Sequence, residues 1–172
     1  MIDKEYNPFK KTALSRTSPS VPTRTLHKKG LIQGKCLDVG CGKGFNVKWL
    51  KEHGIHIEGY DKFNEEFKNE ELLNDKYDTV ICDYVFNVVP DLNEHKELLE
   101  KLKNIGENIY ISVRSDDKAI RPTWEFIKEC DCYKTPKNSY QRFYDEGKVI
   151  EMFGEVEFII SNTSLRLFKI KK

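Results

Sequence analysis

Hydrophobic and polar positions change rhythm near residue 31. Before it the chain is polar and rich in Ser, Thr, Pro and Lys, with little hydrophobic period. Prolines and hydroxyl clusters there argue against a helix, so residues 1–30 read as a leader that is laid over a core or partly mobile, and as a candidate lid. After it, strand and helix patterns alternate. Lys35–Val39 is a short apolar run ending in glycines, which suits a buried strand. Phe45–His53 sets Val47, Trp49 and Leu50 among polar residues, and Gly54 stops it as the residue after a helix should. Ile55–Tyr60 is a strand closed by Asp61. Tyr77–Phe86 is strongly β-prone, with Val80, Ile81, Val85 and Phe86 suited to burial on both faces. Asp91-Leu92-Asn93-Glu94 has the form of a capping box; Leu98, Leu99, Leu102 and Ile105 follow at helical spacing, and Gly106 ends the run. Asn108–Val113 is a further strand.

This alternation predicts an α/β fold, a doubly wound and mostly parallel sheet with right-handed crossovers, in one domain over residues 31–172. The last third differs. Pro122–Cys130 and Asp145–Phe153 read as helices. Glu155–Ile160 and Ser164–Ile170 alternate around Ser161-Asn162-Thr163 as an antiparallel C-terminal hairpin would.

Composition narrows the class. The 172 residues, 33% charged and 38% hydrophobic, have the balance of a soluble domain. No apolar run approaches the roughly 18–20 residues of a membrane span, and Met1-Ile2-Asp3-Lys4-Glu5 lacks the apolar stretch of a secretory signal. No membrane partner is therefore expected. Five cysteines without framework spacing suggest reduced thiols and a cytoplasmic protein. Cys130-Asp131-Cys132 is not the C-x-x-C of metal sites, so no metal is expected. The net charge of +1 is uneven: residues 1–30 carry +5 and residues 163–172 carry +4, leaving −8 between them. Basic ends on an acidic body could attract a nucleic acid, although solvated tails collecting lysine are the plainer explanation.

The chemistry is concentrated in Asp38-Val39-Gly40-Cys41-Gly42-Lys43-Gly44, which joins a buried strand to a helix. Glycines there let the backbone turn tightly and approach a ligand beside the positive end of the helix dipole. A P-loop would need G-x-x-x-x-G-K-[ST], but the required earlier glycine position is Leu37 and Gly44 follows Lys43. A dinucleotide loop, G-x-G-x-x-G, would need a small residue where Phe45 stands. D-x-G-x-G-x-G is instead the pattern of the S-adenosylmethionine loop, in which Asp38 can accept from the cofactor's ammonium. Asp61, at the end of the second strand, is placed to accept from ribose hydroxyls. A third element, Cys82-Asp83-Tyr84-Val85-Phe86-Asn87, follows the strand expected beside the first, at the mouth where open α/β sheets bind ligands.

With these residues assembled, the chain resembles the class I S-adenosylmethionine-dependent methyltransferases and their Rossmann-like fold. The narrower likeness is to small phage and bacterial methyltransferases assigned by motif, including those associated with DNA phosphorothioation. It is carried by Thr12–Arg16, Pro19–Pro22, Leu37–Phe45, Gly59–Asp61, Asp83–Asp91, Ile111–Arg114 and, more weakly, Ser139–Arg142. The resemblance implies cofactor and reaction class but no acceptor. Three departures stand out. Only 16 residues, Lys62–Tyr77, lie between Asp61 and Asp78, which fits a single helix better than a helix plus a third strand, so adenine-pocket residues cannot be carried over. The [DNS]-P-P-[YFW] motif of amino-methylating DNA enzymes is replaced by Cys82-Asp83-Tyr84-Val85. No Pro-Cys pair offers the nucleophile of cytosine-C5 enzymes.

On this reading the cofactor is held by Asp38, Gly40, Cys41, Gly42, Gly44, Phe45, Asp61, Lys62, Asp83 and Tyr84. Candidates on the acceptor side are Arg16, Asn87, Arg114, Tyr140, Gln141 and Arg142, with Asp83 and Asn87 as the catalytic pair. Arg114 and Arg142 could grip an anion bidentately. The expected function is methyl transfer to a nucleotide, nucleic acid or small molecule. The alternative is a cofactor-binding protein that acts by recognition or sequestration.

Overall fold

Two helices precede the first strand, where the leader was expected to have none. The computed structural model describes residues 6–115 and 117–171; Met1–Glu5, read above for a secretory signal, lies outside them. Helix α1 (Pro8–Thr12) starts at Asn7, whose side chain accepts from the Lys10 N–H, and α2 (Val21–Lys28) starts at Ser20, which accepts from the Thr23 N–H. Pro8 and Pro22 sit in the opening turns of these helices. Proline has no N–H to lose there and its fixed φ suits the helix, so residues read as breakers are starters. Leu26 of α2 is fully buried, so the domain's packing begins before residue 31.

The sheet that follows contains β1 (Cys36–Val39), β2 (Ile57–Tyr60), β3 (Tyr77–Asp83), β4 (Gly106–Arg114), β8 (Val156–Ser161) and β9 (Leu165–Ile170), in the order β2-β1-β3-β4-β9-β8. The first four strands run parallel, while β9 lies antiparallel between β4 and β8. Helix α3 (Phe45–Glu52) connects β1 to β2, α4 (Leu92–Ile105) connects β3 to β4, and α5 (Glu146–Phe153) precedes the hairpin. Leu26, Val47 and Leu50 pack on one face of the sheet with Ile81 and Tyr110. Leu99, Leu102, Val149 and Phe153 pack on the other with Leu37, Val80 and Ile111. Strands buried on both faces explain the continuous apolar runs. Among the described residues no helix is long and apolar enough to cross a membrane.

Between β2 and β3 the chain makes a 3₁₀ helix, Glu70–Asn74, and no strand, as the short spacer implied. Strand β3 ends at Asp83 rather than Phe86 because Tyr84 turns with φ 59°. The larger correction is Pro122–Cys130, which is not an α-helix. It forms β5 (Glu125–Ile127) and a 3₁₀ turn, and β5 joins β6 (Cys132–Lys134) and β7 (Tyr140–Gln141) in a second, antiparallel sheet. Phe126 faces Tyr133 across the β5–β6 pair, with ring centroids 5.2 Å apart, and such aromatic cross-strand pairs favour strand over helix. Between these strands Asp131 takes φ 45°, and Cys130 and Cys132 on either side are joined in a disulfide. The expectation that all five thiols are reduced is thereby corrected; Cys36, Cys41 and Cys82 are free.

Candidate functional site

The strand order reverses between β1 and β3, since the chain leaves β1 toward β2 on one side and returns to β3 on the other. Loops diverging from such neighbouring strand ends open a crevice. Here the glycine loop after β1 forms one wall and Tyr84–Val89 after β3 forms the other, around a cavity of about 830 Å³. Gly40 has φ 77°, and a Cβ on it would sit 2.2 Å from Val85 Cγ2, so neither the turn nor the approach of the two loops tolerates a side chain. Gly42, with φ 58°, faces open space in which an added Cβ would meet only Ala13, at 3.8 Å. The loop is held from β2. Asp61 Oδ2 accepts from the Gly42 N–H at 2.9 Å, Oδ1 accepts from the Phe63 N–H at 2.9 Å, and Asn64 Nδ2 donates to the Gly42 carbonyl at 2.8 Å. Asp61 thus shapes the glycine loop while lining the cavity.

Three carboxylates, Asp38, Asp61 and Asp83, converge at this end of the sheet. Asp38 on β1 is buried, and its Oδ1 has no hydrogen-bond partner among the described residues. Burial and the charges of Asp83 and Asp61 hold its carboxyl well above the usual aspartate range, while the Arg16 guanidinium opposes them. Asp83 is also raised by burial but is well supplied with donors. Ser20 Oγ and Thr23 Oγ1 donate to its Oδ2 at 2.5 and 2.8 Å, Ser112 Oγ donates to Oδ1 at 3.0 Å, and Asn46 Nδ2 approaches at 3.4 Å. These bonds fasten α2 across the end of β3. Leader residues Pro8, Phe9, Thr12, Ala13, Leu14 and Arg16 form part of the cavity wall, and Lys43 Nζ donates to Ser15 Oγ at 2.7 Å.

A family model described as the methyltransferase domain matches residues 10–153. The chain belongs to this family. No curated protein matches the sequence, but solved methyltransferases share its fold. The 1,6-didemethyltoxoflavin-N1-methyltransferase of Burkholderia thailandensis, solved with 1,6-didemethyltoxoflavin and S-adenosylhomocysteine, is 11% identical over 88% of this chain and 76% of its own, with a TM-score of 0.62. An S-adenosylmethionine-dependent methyltransferase from Bacteroides fragilis, solved with S-adenosyl-L-homocysteine, is 14% identical over 91% of this chain and 78% of its own, with a TM-score of 0.57. The magnesium protoporphyrin IX methyltransferase of Synechocystis PCC 6803, solved with S-adenosylmethionine, is 19% identical over 86% and 74%, with a TM-score of 0.52. At these identities the likeness is one of fold.

In this methyltransferase domain the expected cofactor residues Asp38, Gly40, Cys41, Gly42, Phe45, Asp61, Lys62, Asp83 and Tyr84 all line the cavity. Gly44 stands behind it, where a Cβ would meet the Phe67 ring at 2.2 Å. On the acceptor side Arg16, Arg114 and Gln141 line the cavity, but Tyr140 and Arg142 do not. Tyr140 is buried under the second sheet against Tyr6, with ring centroids 4.8 Å apart. Arg142 is 2% exposed and spends its guanidinium on the Cys130 and Pro90 carbonyls and on His95. His95 is pushed down to about 4 by burial and by the Arg142 charge; held neutral, it donates through Nε2 to the Val89 carbonyl at 2.7 Å and accepts from Arg142 at Nδ1. Arg142 therefore cannot grip a substrate. Asn87 reaches the cavity but is committed: its Nδ2 donates to the Arg142 carbonyl and its Oδ1 accepts from the Arg114 N–H. It fastens loops, as Asp83 does.

Residues the sequence reading missed are Ser20, Thr23, Asn46 and Asn64. The signal for the first two was present: Ser20 with Pro22 and Thr23 is a helix-start pattern.

Proposed function

We propose that this methyltransferase domain binds S-adenosylmethionine in the cavity between β1 and β3 and transfers its methyl group to a small acceptor. The observation that carries this reading is Asp38: it lines the cavity, and one oxygen of its buried carboxyl has no partner among the described residues, which suits a cationic donor brought by a ligand. The ammonium of the cofactor's amino-acid end supplies one. The open face of Gly42 leaves room for the ligand, and the Asp61 carboxylate at the cavity wall suits ribose hydroxyls. The three solved neighbours, each carrying S-adenosylmethionine or its demethylated product, support the same choice. The likeness to small phage and bacterial methyltransferases accords with it and names no acceptor.

When bound, the cofactor supplies an electrophilic methyl group on a sulfonium, so the protein's task is alignment and exclusion of water. The glycine loop and Asp61 fix one partner. Tyr84, Arg114 and Gln141 face the other. The leader from Pro8 to Arg16 supplies part of the cavity wall, placed to fold over the mouth and shut out water when ligand binds. With Asp83 and Asn87 committed to other contacts, the acceptor is one whose attacking atom is nucleophilic without a general base.

Labelled-methyl transfer tests this reading across small organic acids, amines, nucleotides and oligonucleotides. Label should move to a small acceptor. Cofactor binding with no transfer to any pool or lysate fraction would instead favour sequestration.

A further inference from the structure

Opposite the glycine loop, the cavity wall is built from the end of β4 and from β7. Arg114, the last residue of β4, has its guanidinium carbon 5.4 Å from the centre of the Phe143 ring. Its backbone is pinned on both sides, by the Asn87 side chain at 2.9 Å and by the Tyr144 N–H, which donates to its carbonyl at 2.8 Å. Among the described residues no carboxylate forms an ion pair with it. A guanidinium resting on an aromatic face, turned to a cavity and lacking an acidic partner, offers fixed fork-shaped donors to an anion.

Gln141 on β7 lines the same cavity, and its Oε1 is buried without a hydrogen-bond partner. It is brought there by the clasp that holds Arg114, because the next residue, Arg142, donates its N–H to the Asn87 carbonyl at 2.8 Å. Tyr84 completes the wall in a left-handed conformation, φ 59°, a strained backbone of the kind that collects at functional sites. Lys11, Arg16 and Lys43 line the cavity, but so do the carboxylates of Asp38, Asp61 and Asp83, so the preference for an anion is local to Arg114.

We propose that Arg114 and Gln141 form a subsite for a small organic acid, its carboxylate or phosphate on Arg114 and an N–H or O–H donor beside that group on Gln141. Calling this acid the methyl acceptor rests on the cofactor reading above; the anion site itself rests on β4 and β7. The cavity of about 830 Å³ lies within the range of small-molecule sites and suits a compact acid.

The test is calorimetric titration of the whole protein, with and without saturating S-adenosylhomocysteine. The probes are 2-aminobenzoate, benzoate, phenyl phosphate, the neutral benzamide and a short single-stranded oligonucleotide. The carboxylate or the phosphate should bind at least about tenfold more tightly than benzamide, and comparing them identifies which acid group is preferred. Arg114→Gln should weaken the preferred acid by about tenfold or more while leaving S-adenosylhomocysteine affinity within about twofold. Gln141→Leu should weaken 2-aminobenzoate but not benzoate. Equal binding of acid and amide, indifference to Arg114→Gln, displacement of the acid by S-adenosylhomocysteine, or preference for a single-stranded oligonucleotide would each overturn the subsite. If S-adenosylhomocysteine does not bind but acid binding still depends on Arg114, the cofactor reading falls and the anion site stands.

Discussion

Replacing Asp38 by Asn should make the free protein more stable and its cofactor binding weaker. The two opposite signs come from one atom. Asp38 is buried with an unpartnered Oδ1, and burial together with Asp83 and Asp61 raises its carboxyl. The folded protein therefore holds that proton more tightly than the unfolded chain does. As pH rises from the ordinary aspartate range through the raised folded value, ionisation disfavours the native state, so wild-type stability falls relative to a variant with nothing to ionise. An unsatisfied buried acceptor costs roughly 1–3 kcal/mol and a charged one more; Asn keeps the acceptor and removes only the excess due to charge. Recovering about 1 kcal/mol of this would raise Tm by roughly 2–4 °C in a domain of this size. In the complex the same carboxylate meets the cofactor's ammonium; a charge-assisted hydrogen bond is worth roughly 1.5–3 kcal/mol, so affinity should fall about 10- to 100-fold. Wild-type affinity should also decline as pH drops through the raised value, and the Asn variant should lose that part of the pH profile. Calorimetry with S-adenosylhomocysteine between weakly acid and neutral pH, paired with thermal unfolding of the free proteins, reads both effects. An unchanged or lower Tm together with an unchanged Kd would refute the reasoning.

Three further outcomes follow. Gly42→Val should abolish S-adenosylhomocysteine binding while circular dichroism stays native, because φ 58° disfavours a branched residue and the side chain would fill the cavity; normal binding by the folded variant would remove the loop from the site. Asn87→Ala should destabilise the protein by about 2–4 kcal/mol, since it strips partners from the Arg142 carbonyl and the Arg114 N–H; a Tm within about 1 °C of wild type would contradict the clasp. Deleting residues 1–18, which spares Ser20 and Thr23, should leave the core folded but lower cofactor affinity or transfer, and hydrogen exchange at Ser15–Ser20 should slow with ligand; if binding, transfer and exchange are indifferent, the leader is no lid.

The parallel half of the fold was legible because strands buried on both faces leave unbroken apolar runs, as Val80–Cys82 does, and because Gly54 and the Asp91 cap punctuate the helices. The glycine loop and Asp61 were legible for a related reason: tight turns and close approach restrict residue types more than packing does. Elsewhere periodicity was a poor guide. Pro122–Cys130 has a mixed pattern, and the meeting of Phe126 with Tyr133 across a short turn decides for strand. The prolines of the leader were ambiguous in the same way, because Pro8 and Pro22 end a pattern in one register and open a helix in another. Local signals could not reveal that Arg142 turns inward while Arg114 faces the cavity. Both are lone arginines near strand ends, and the difference lies in carbonyls contributed by Cys130 and Pro90. Asp83 and Asn87 show why such residues are ambiguous in a sequence: both line the cavity, and both also hold the fold through Ser20, Thr23, Arg114 and Arg142.

The central claim is that the cavity between β1 and β3 is a methyl-donor site, and calorimetric titration of the wild-type protein with S-adenosylhomocysteine, run beside NADH, tests it most directly. The account predicts saturable binding in the micromolar range for S-adenosylhomocysteine, a matching rise in Tm, and no response to NADH. Heat and thermal shift with NADH but neither with S-adenosylhomocysteine would contradict it.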